Sequence, residues 1–90
     1  MGIHWNESKN KILKRERNVS FETIVEIIRS GNELDIIPHP KRSNQQIIIV
    51  RLQGYIYAVP FTSDEKGIFL KTIYPSRTLN KQYGGYDGST

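Results

Sequence analysis

Gln45-Gln46-Ile47-Ile48-Ile49-Val50-Arg51-Leu52-Gln53-Gly54-Tyr55-Ile56-Tyr57-Ala58-Val59-Pro60-Phe61 is the stretch that decides the fold. Gln45 to Leu52 is rich in β-branched residues, which pack well on a pleated surface. Ile47 to Val50 is an unbroken apolar run, too apolar for burial on one side, so it reads as a central strand covered on both faces. Gln53-Gly54 is a connection of hairpin length. Tyr55, Tyr57, Val59 and Phe61 then alternate along the next strand. Downstream, Asp64-Glu65-Lys66-Gly67 turns the chain again, Ile68 to Tyr74 reads as a last strand, and Pro75 stops it. Upstream, Glu33 to Ile37 reads as an edge strand ended by Pro38-His39-Pro40.

The N-terminal third has a different period. Ile3 to Trp5 suits a short strand or a packing anchor. Asn6 to Arg17 carries good helix formers and no Gly or Pro, and Asn18 suits the left-handed position that ends a helix. Ser20 can cap a second helix, with Glu22 placed at the positive end of its dipole. Phe21, Ile24, Val25 and Ile28 fall on one face of that helix, which Ser30-Gly31-Asn32 stops. After Pro75, Ser76 can cap a short helix through about Gln82. The expectation is an α+β fold: two N-terminal helices packed on one face of an antiparallel meander of three to four strands, then a short C-terminal helical turn. The other sheet face also carries aromatic and aliphatic side chains, and a partner protein is a natural cover for them.

Ninety residues allow one domain, expected over residues 1–83, with a flexible Gly-rich tail over 84–90. So short a chain buries a modest core and gains from a tight partner. Thirteen Lys and Arg against nine Asp and Glu give a net charge of +4, which favours an anionic partner. There is no cysteine, hence no disulfide or thiolate metal site. His4 and His39 alone cannot close a zinc site, so no metal or cofactor is expected. No stretch resembles a signal peptide or reaches membrane-spanning length, which makes the cytoplasm the expected compartment.

The placement of charge says more than its total. Residues 22–35 hold four acids and one base, whereas residues 36–81 hold seven bases and two acids. Lys41, Arg42, Arg51, Lys71, Arg77 and Lys81 can build one electropositive surface, and interleaved tyrosines can stack on unpaired bases. Composition alone favours the plainer reading of scattered solvated charge. On the first helix Lys9 falls on the side of Ile12 and Leu13, where a lysine snorkels, pairs or is functional.

Several motifs resemble the BrnT family of bacterial toxins. Ile3-His4-Trp5-Asn6-Glu7-Ser8-Lys9-Asn10 is similar to the family's apolar residue, Trp-Asp-Glu, spacer and Lys-Asn. Asn18-Val19-Ser20-Phe21-Glu22 resembles its Gly-Val-Ser-Phe-Glu start of the second helix. Phe69-Leu70-Lys71-Thr72-Ile73-Tyr74-Pro75-Ser76-Arg77 resembles its terminal strand and Pro-Ser-Arg turn, followed by Lys81 and Tyr83. The likeness spans about residues 3–83 in matching order. It departs at Arg17, where the family often has histidine, and at Asn6, where it has Asp.

The resemblance implies a RelE-like ribonuclease, the toxin of a type II toxin–antitoxin pair. Such an enzyme cleaves RNA without metal by attack of a ribose 2′-hydroxyl on the adjacent phosphate. The candidate catalytic residues are Arg77, Lys71, Lys81, Tyr83 and His39, with Lys9, Lys41, Arg42 and Arg51 for substrate binding. Arg77 comes first as a two-pronged phosphate clamp, and Lys71 next as a cation for the developing charge. Imidazole suits acid–base work, although a loop histidine is more often merely exposed. The implied partners are a small cognate antitoxin and RNA, with no membrane. The alternative is a toxin-fold protein that binds a partner without catalysis, and the loss of histidine at Arg17 favours it. A DNA-binding regulator ranks last, since no helix-turn-helix spacing is present.

Overall fold

The first helix is fixed at both ends by asparagine. In the computed structural model, which describes residues 2–84, the Asn6 side chain accepts from Lys9 N and so caps α1, Glu7–Arg17. Asn18 ends α1 in the left-handed conformation, with φ 57° and ψ 36°. Ser20 then accepts from Thr23 N and caps α2, Phe21–Arg29. Phe21 and Ile24 are fully buried, and Ile27 and Ile28 complete the face toward the sheet. Val25, expected on that face, is only half-buried and is replaced there by Ile27. The helix is short enough that a one-residue rotation of its apolar stripe keeps the core closed.

Six strands form one mixed sheet where three to four were expected. They are β1 Gly2–His4, β2 Asp35–Pro38, β3 Gln46–Leu52, β4 Tyr55–Asp64, β5 Gly67–Leu70 and β6 Tyr74–Pro75. The order is β1-β5-β4-β3-β2, with β6 also on β4. The expected meander β3-β4-β5 pairs in sequence order, with Ile48 opposite Val59 and Phe61 opposite Leu70. Gln53 and Gly54 close its first hairpin with positive φ at both residues, 54° and 79°, the turn whose twist matches the strands it joins. β1 lies parallel to β5. Gly67 permits this, because a Cβ there would collide with the backbone of Gly2.

The strand expected over Ile68 to Tyr74 is broken. Phe61 faces Leu70, yet Ala58 faces Tyr74. Lys71, Thr72 and Ile73 therefore stand opposite only Val59 and Pro60, which makes a bulge. Lys71 N donates to Pro60 O at 2.8 Å. Pro60 has no N–H to return, so the ladder cannot continue in register. The extra residue resets the alternation. Ile73 becomes fully buried on the helix side, while Tyr74 turns to the opposite face. Arg17 Nη1 donates to Ile73 O at 2.7 Å, satisfying a carbonyl beside the break.

Both faces of β3 are dry. Ile48, Val50 and Leu52 join α1 and α2 in one cluster with Leu13, Phe21, Ile24, Val59 and Leu70. Ile47 and Ile49 join Ile56 and Ala58 in a second, covered by Ile37, Tyr74, Leu79 and Tyr83. The cover over this second cluster comes from the chain itself. After Ser76 caps the short α3, Arg77–Leu79, the chain continues as a π-helical turn, Asn80–Gly84, across the outer face. Gly84 is buried, so it is not part of a free tail. The rest of the expected tail, residues 85–90, lies outside the described residues.

Asn10 is the buried polar residue that joins the two helices. It is fully buried, accepts from Phe21 N at 2.8 Å through Oδ1, and donates to Glu22 Oε1 at 2.8 Å through Nδ2. That donation, helped by the Glu22 backbone and Lys14, holds the Glu22 carboxyl below its ordinary range. A depressed carboxylate contributes stability that is present above its unfolded pKa, near 4.5, and lost as pH falls through the folded value. Asn10→Ala leaves the Phe21 N–H buried without a partner. Denaturant unfolding should show a loss of about 1–3 kcal/mol, and less of the remaining stability should disappear on acidification. An Asn10→Ala protein as stable as the parent would refute this role.

Candidate functional site

The break beside Pro60 opens a groove on the outer face. Pro60 and Gln45 line it from β4 and the start of β3, Lys71, Thr72 and Tyr74 from the bulge, and His39 and Arg42 from the loop after β2, enclosing about 450 Å³. The bulge delivers Lys71 here. Leu70 faces the helices, so Lys71 projects from the other side and is exposed. Its Nζ stands 5.3 Å from the centroid of the Phe69 ring, within reach of a cation–π attraction.

The loop between β2 and β3 folds back on itself and presents His39 and Arg42. His39 N donates to Gln45 O at 3.1 Å, and Gln45 N donates to Arg42 O at 3.1 Å. The His39 imidazole is fixed as well. Its Nδ1 accepts from Lys41 N at 3.0 Å and from Arg42 N at 3.1 Å. An Nδ1 that accepts two hydrogen bonds carries no proton, so the neutral ring bears its proton on Nε2. As held, His39 is a hydrogen-bond donor at Nε2, and its one free lone pair is already used. This argues against His39 as a base and for His39 as a donor to an anion.

Three of the sequence candidates thus converge: His39, Arg42 and Lys71. The others stand elsewhere. Lys41 is exposed beside the groove and contributes its backbone to His39. Arg77 is exposed at the start of α3, and Lys81 is exposed in the π turn; neither lines the groove. Lys9 is half-buried in the first turn of α1, within the helical layer. Arg51 is engaged in holding the π turn, donating to Gly84 O at 3.3 Å and to Tyr83 O at 3.4 Å. Tyr83 packs on the outer cluster and donates its hydroxyl to Asp35 Oδ2 at 2.8 Å. For Arg51 and Tyr83 the arrangement therefore supplies a structural task, the clamping of the π turn. Tyr74, Thr72 and Gln45 were missed by sequence reasoning. Pro60 within an alternating strand is the signal that would have found Tyr74, because it forecasts the bulge.

The groove is rich in donors. Arg42 and Lys71 carry only N–H groups, and His39 adds Nε2–H. Such a set fits phosphate oxygens, with Arg42 able to bind two at once. Among the described residues no group of three His, Cys, Asp or Glu could hold a metal ion, and no helix is long and apolar enough to cross a membrane. Compared with known protein families, characterised proteins and solved structures, the chain gives no match.

The Tyr83 contact has a pH signature. Donation to Asp35 raises the Tyr83 pKa above its ordinary 10.0, with smaller contributions from burial and from the Asp35 charge. A raised folded pKa contributes stability that is full below the unfolded value and lost as pH rises through the folded one. Spectroscopic titration of the tyrosines should therefore show a late-ionising step that Tyr83→Phe removes and Asp35→Asn moves down. If Tyr83→Phe leaves the titration curve unchanged apart from one fewer ordinary tyrosine, the clamp is absent in solution.

Proposed function

We propose that this chain is a cytoplasmic, RelE-like endoribonuclease toxin of the BrnT kind, acting without metal and neutralised by a small cognate antitoxin. The observation that carries this is the convergence of His39 and Arg42, from one loop, with Lys71, from the bulge, on one groove of phosphate-binding chemistry. The motif resemblance over residues 3–83 supports the same reading.

RNA brings its own nucleophile. Attack of the 2′-oxygen on phosphorus forms one P–O bond and expels the 5′-oxygen, leaving a 2′,3′-cyclic phosphate and a 5′-hydroxyl. The hydroxyl proton would leave to solvent water and another would arrive from solvent on the departing 5′-oxygen, since His39, Arg42 and Lys71 act here as donors. The protein's share is to hold the phosphate and to stabilise the charge that grows on its equatorial oxygens. Arg42 would grip two of those oxygens, Lys71 would add a point charge, and His39 would donate Nε2–H. All three serve the crowded phosphorane better than the ground state if they are fixed in place. His39 is so fixed by its two backbone donors. Arg77, expected as the clamp on the reacting phosphate, does not line this groove, and in this reading Arg42 takes that role. The antitoxin would be acidic and would cover the basic groove, burying about 1,200–2,000 Å² in total.

A second reading, a binding protein without catalysis, is favoured by one observation: Arg51 and Tyr83, two of the candidate residues, are occupied in clamping the π turn.

The test is cleavage of RNA by the purified chain in the presence of a chelator, scored for cyclic phosphate ends, alongside growth on induction with and without the neighbouring gene. Arg42→Ala and Lys71→Ala should each slow cleavage by roughly 10²–10³ without lowering the melting temperature, since both side chains are exposed. Arg42→Lys should recover only part, lacking the two-pronged geometry. Arg77→Ala compares the clamp implied by resemblance with the groove. RNA binding with no cyclic phosphate product would select the second reading. Full activity in both Arg42→Ala and Lys71→Ala would discard the groove.

A further inference from the structure

The outer face has a half that the C-terminal turn does not cover. Across it runs a row of three strands in register: His4 on β1, Phe69 on β5 and Thr62 on β4. Their chain neighbours Ile3, Ile68, Leu70 and Phe61 pack in the helix-side cluster, which puts the row on the outer side. Phe69 is 38 % exposed in the middle of this row. A shallow groove of about 250 Å³ lies beside it, lined also by His4, Thr62 and Lys66. The phosphate groove lies on its other side, with Lys71 bridging the two, since Lys71 lines that groove and also reaches over the Phe69 ring.

We propose that Phe69, flanked by His4 and Thr62, is a nucleobase-stacking subsite next to the groove of Arg42 and Lys71, and that the ribonucleotide taken there is unpaired. The inference rests on the reading of that groove as an RNA phosphate site. An aromatic ring on a strand face, bordered by polar side chains and cations, is the arrangement on which single-stranded nucleic acid stacks its bases. The ring offers its face to any base, while His4 and Thr62 carry donors and acceptors for the base edge. Charge favours the same occupant: Lys71 and Lys66 border the strip, with Arg42 in the adjoining groove, against one carboxylate of the two linings, Asp64, whose Oδ1 is engaged by Lys66 N in the turn. A paired base could not leave its partner to reach a flat sheet without the cost of unstacking. A phosphate drawn to Lys71 would also pull the ammonium from the ring and clear its face.

The experiment is fluorescence anisotropy of the full chain with a labelled, 2′-O-methylated single-stranded oligonucleotide, which cannot be cleaved by 2′-attack, and with the same oligonucleotide made abasic. The intact strand should bind about tenfold more tightly than the abasic one. Phe69→Leu keeps the apolar bulk but loses the ring; it should weaken the intact strand about tenfold and leave the abasic one unchanged. Phe69→Tyr, which keeps the ring, should bind like the parent. Arg42→Ala should weaken both strands and flatten the dependence on salt, whereas Phe69→Leu should not alter that dependence. Unchanged affinity of Phe69→Leu for the intact strand, or an equal loss on both strands, would overturn the stacking subsite while leaving the phosphate groove intact. Binding of neither strand by the parent chain would remove the groove reading and this inference together. Unchanged RNA binding with weakened capture of the protein encoded beside this chain would assign the face to a protein and overturn the inference.

Discussion

Ile47 to Val50 must be kept from water on both faces, and much of the fold is the consequence. Successive side chains of a strand point to opposite sides, so an unbroken run of four apolar residues demands two covers. On one side α1 and α2 provide Leu13, Phe21 and Ile24. On the other no second pair of helices is present among the described residues. Tyr74, Leu79 and Tyr83 serve instead, from a few residues at the C-terminal end of the described chain. Such a thin cover has little area with which to hold itself down, and polar contacts compensate. Asn80 Oδ1 accepts from Ile56 N, Arg51 binds the carbonyls of Tyr83 and Gly84, and Tyr83 reaches Asp35 on the edge strand. Residues that looked like chemistry in the sequence are thereby spent on architecture.

The second cover could not exist without Pro60. A continuous strand from Ile68 would have placed Leu70, Thr72 and Tyr74 on the helix side. The extra residue at the bulge exchanges these roles, burying Ile73 and delivering Tyr74 to the outer cluster. It also leaves Lys71 at the edge of an opening rather than in a flat ladder. One imino acid thus couples the completion of the core to the geometry of the groove. Arg17 closes the arrangement by binding the Ile73 carbonyl. The departure from the resembled family at that position therefore has a structural account, because a guanidinium reaches across to the bulge and fills a backbone need there.

What was legible in the sequence followed local rules. The caps Ser20 and Ser76, the left-handed Asn18 and the Gln53-Gly54 hairpin depend on side chains acting on their own backbone, and these were found. The two-sided burial of Ile47 to Val50 was found because composition alone demands it. Three things depended on partners far along the chain and were not found. The parallel docking of β1 needs the bare backbone of Gly67, which read only as a turn. The work of Asn10 needs Phe21 N and Glu22 to be brought to it. The self-supplied cover of the outer face needs the bulge, whose one local sign, Pro60, looked like an ordinary member of an alternating strand. The site shows the same division. His39, Arg42 and Lys71 were singled out by residue type, but the type of Arg51 and Tyr83 gave no hint that they were already occupied.

The tautomer of His39 bears on the kind of chemistry the groove can host. A general base needs a free lone pair, and the neutral imidazole has one. Here that lone pair faces the N–H groups of Lys41 and Arg42. To act as a base at Nε2, the ring would have to move its proton to Nδ1 and push two donors against a third. The fixed ring is instead aligned with its neighbours: Arg42, Lys71 and His39 all present N–H groups, with no carboxylate among the residues that line the groove. These three side chains can stabilise charge that accumulates on oxygen, while the acceptor oxygens of the lining belong to Gln45, Thr72 and Tyr74. In the proposed reaction the nucleophile is already attached to the substrate, as the 2′-hydroxyl is to RNA, and its proton would leave to solvent. On that proposal positioning and charge stabilisation would carry most of the rate, and small displacements of the loop from residues 39 to 45 would be felt more strongly than the loss of any one distant cation.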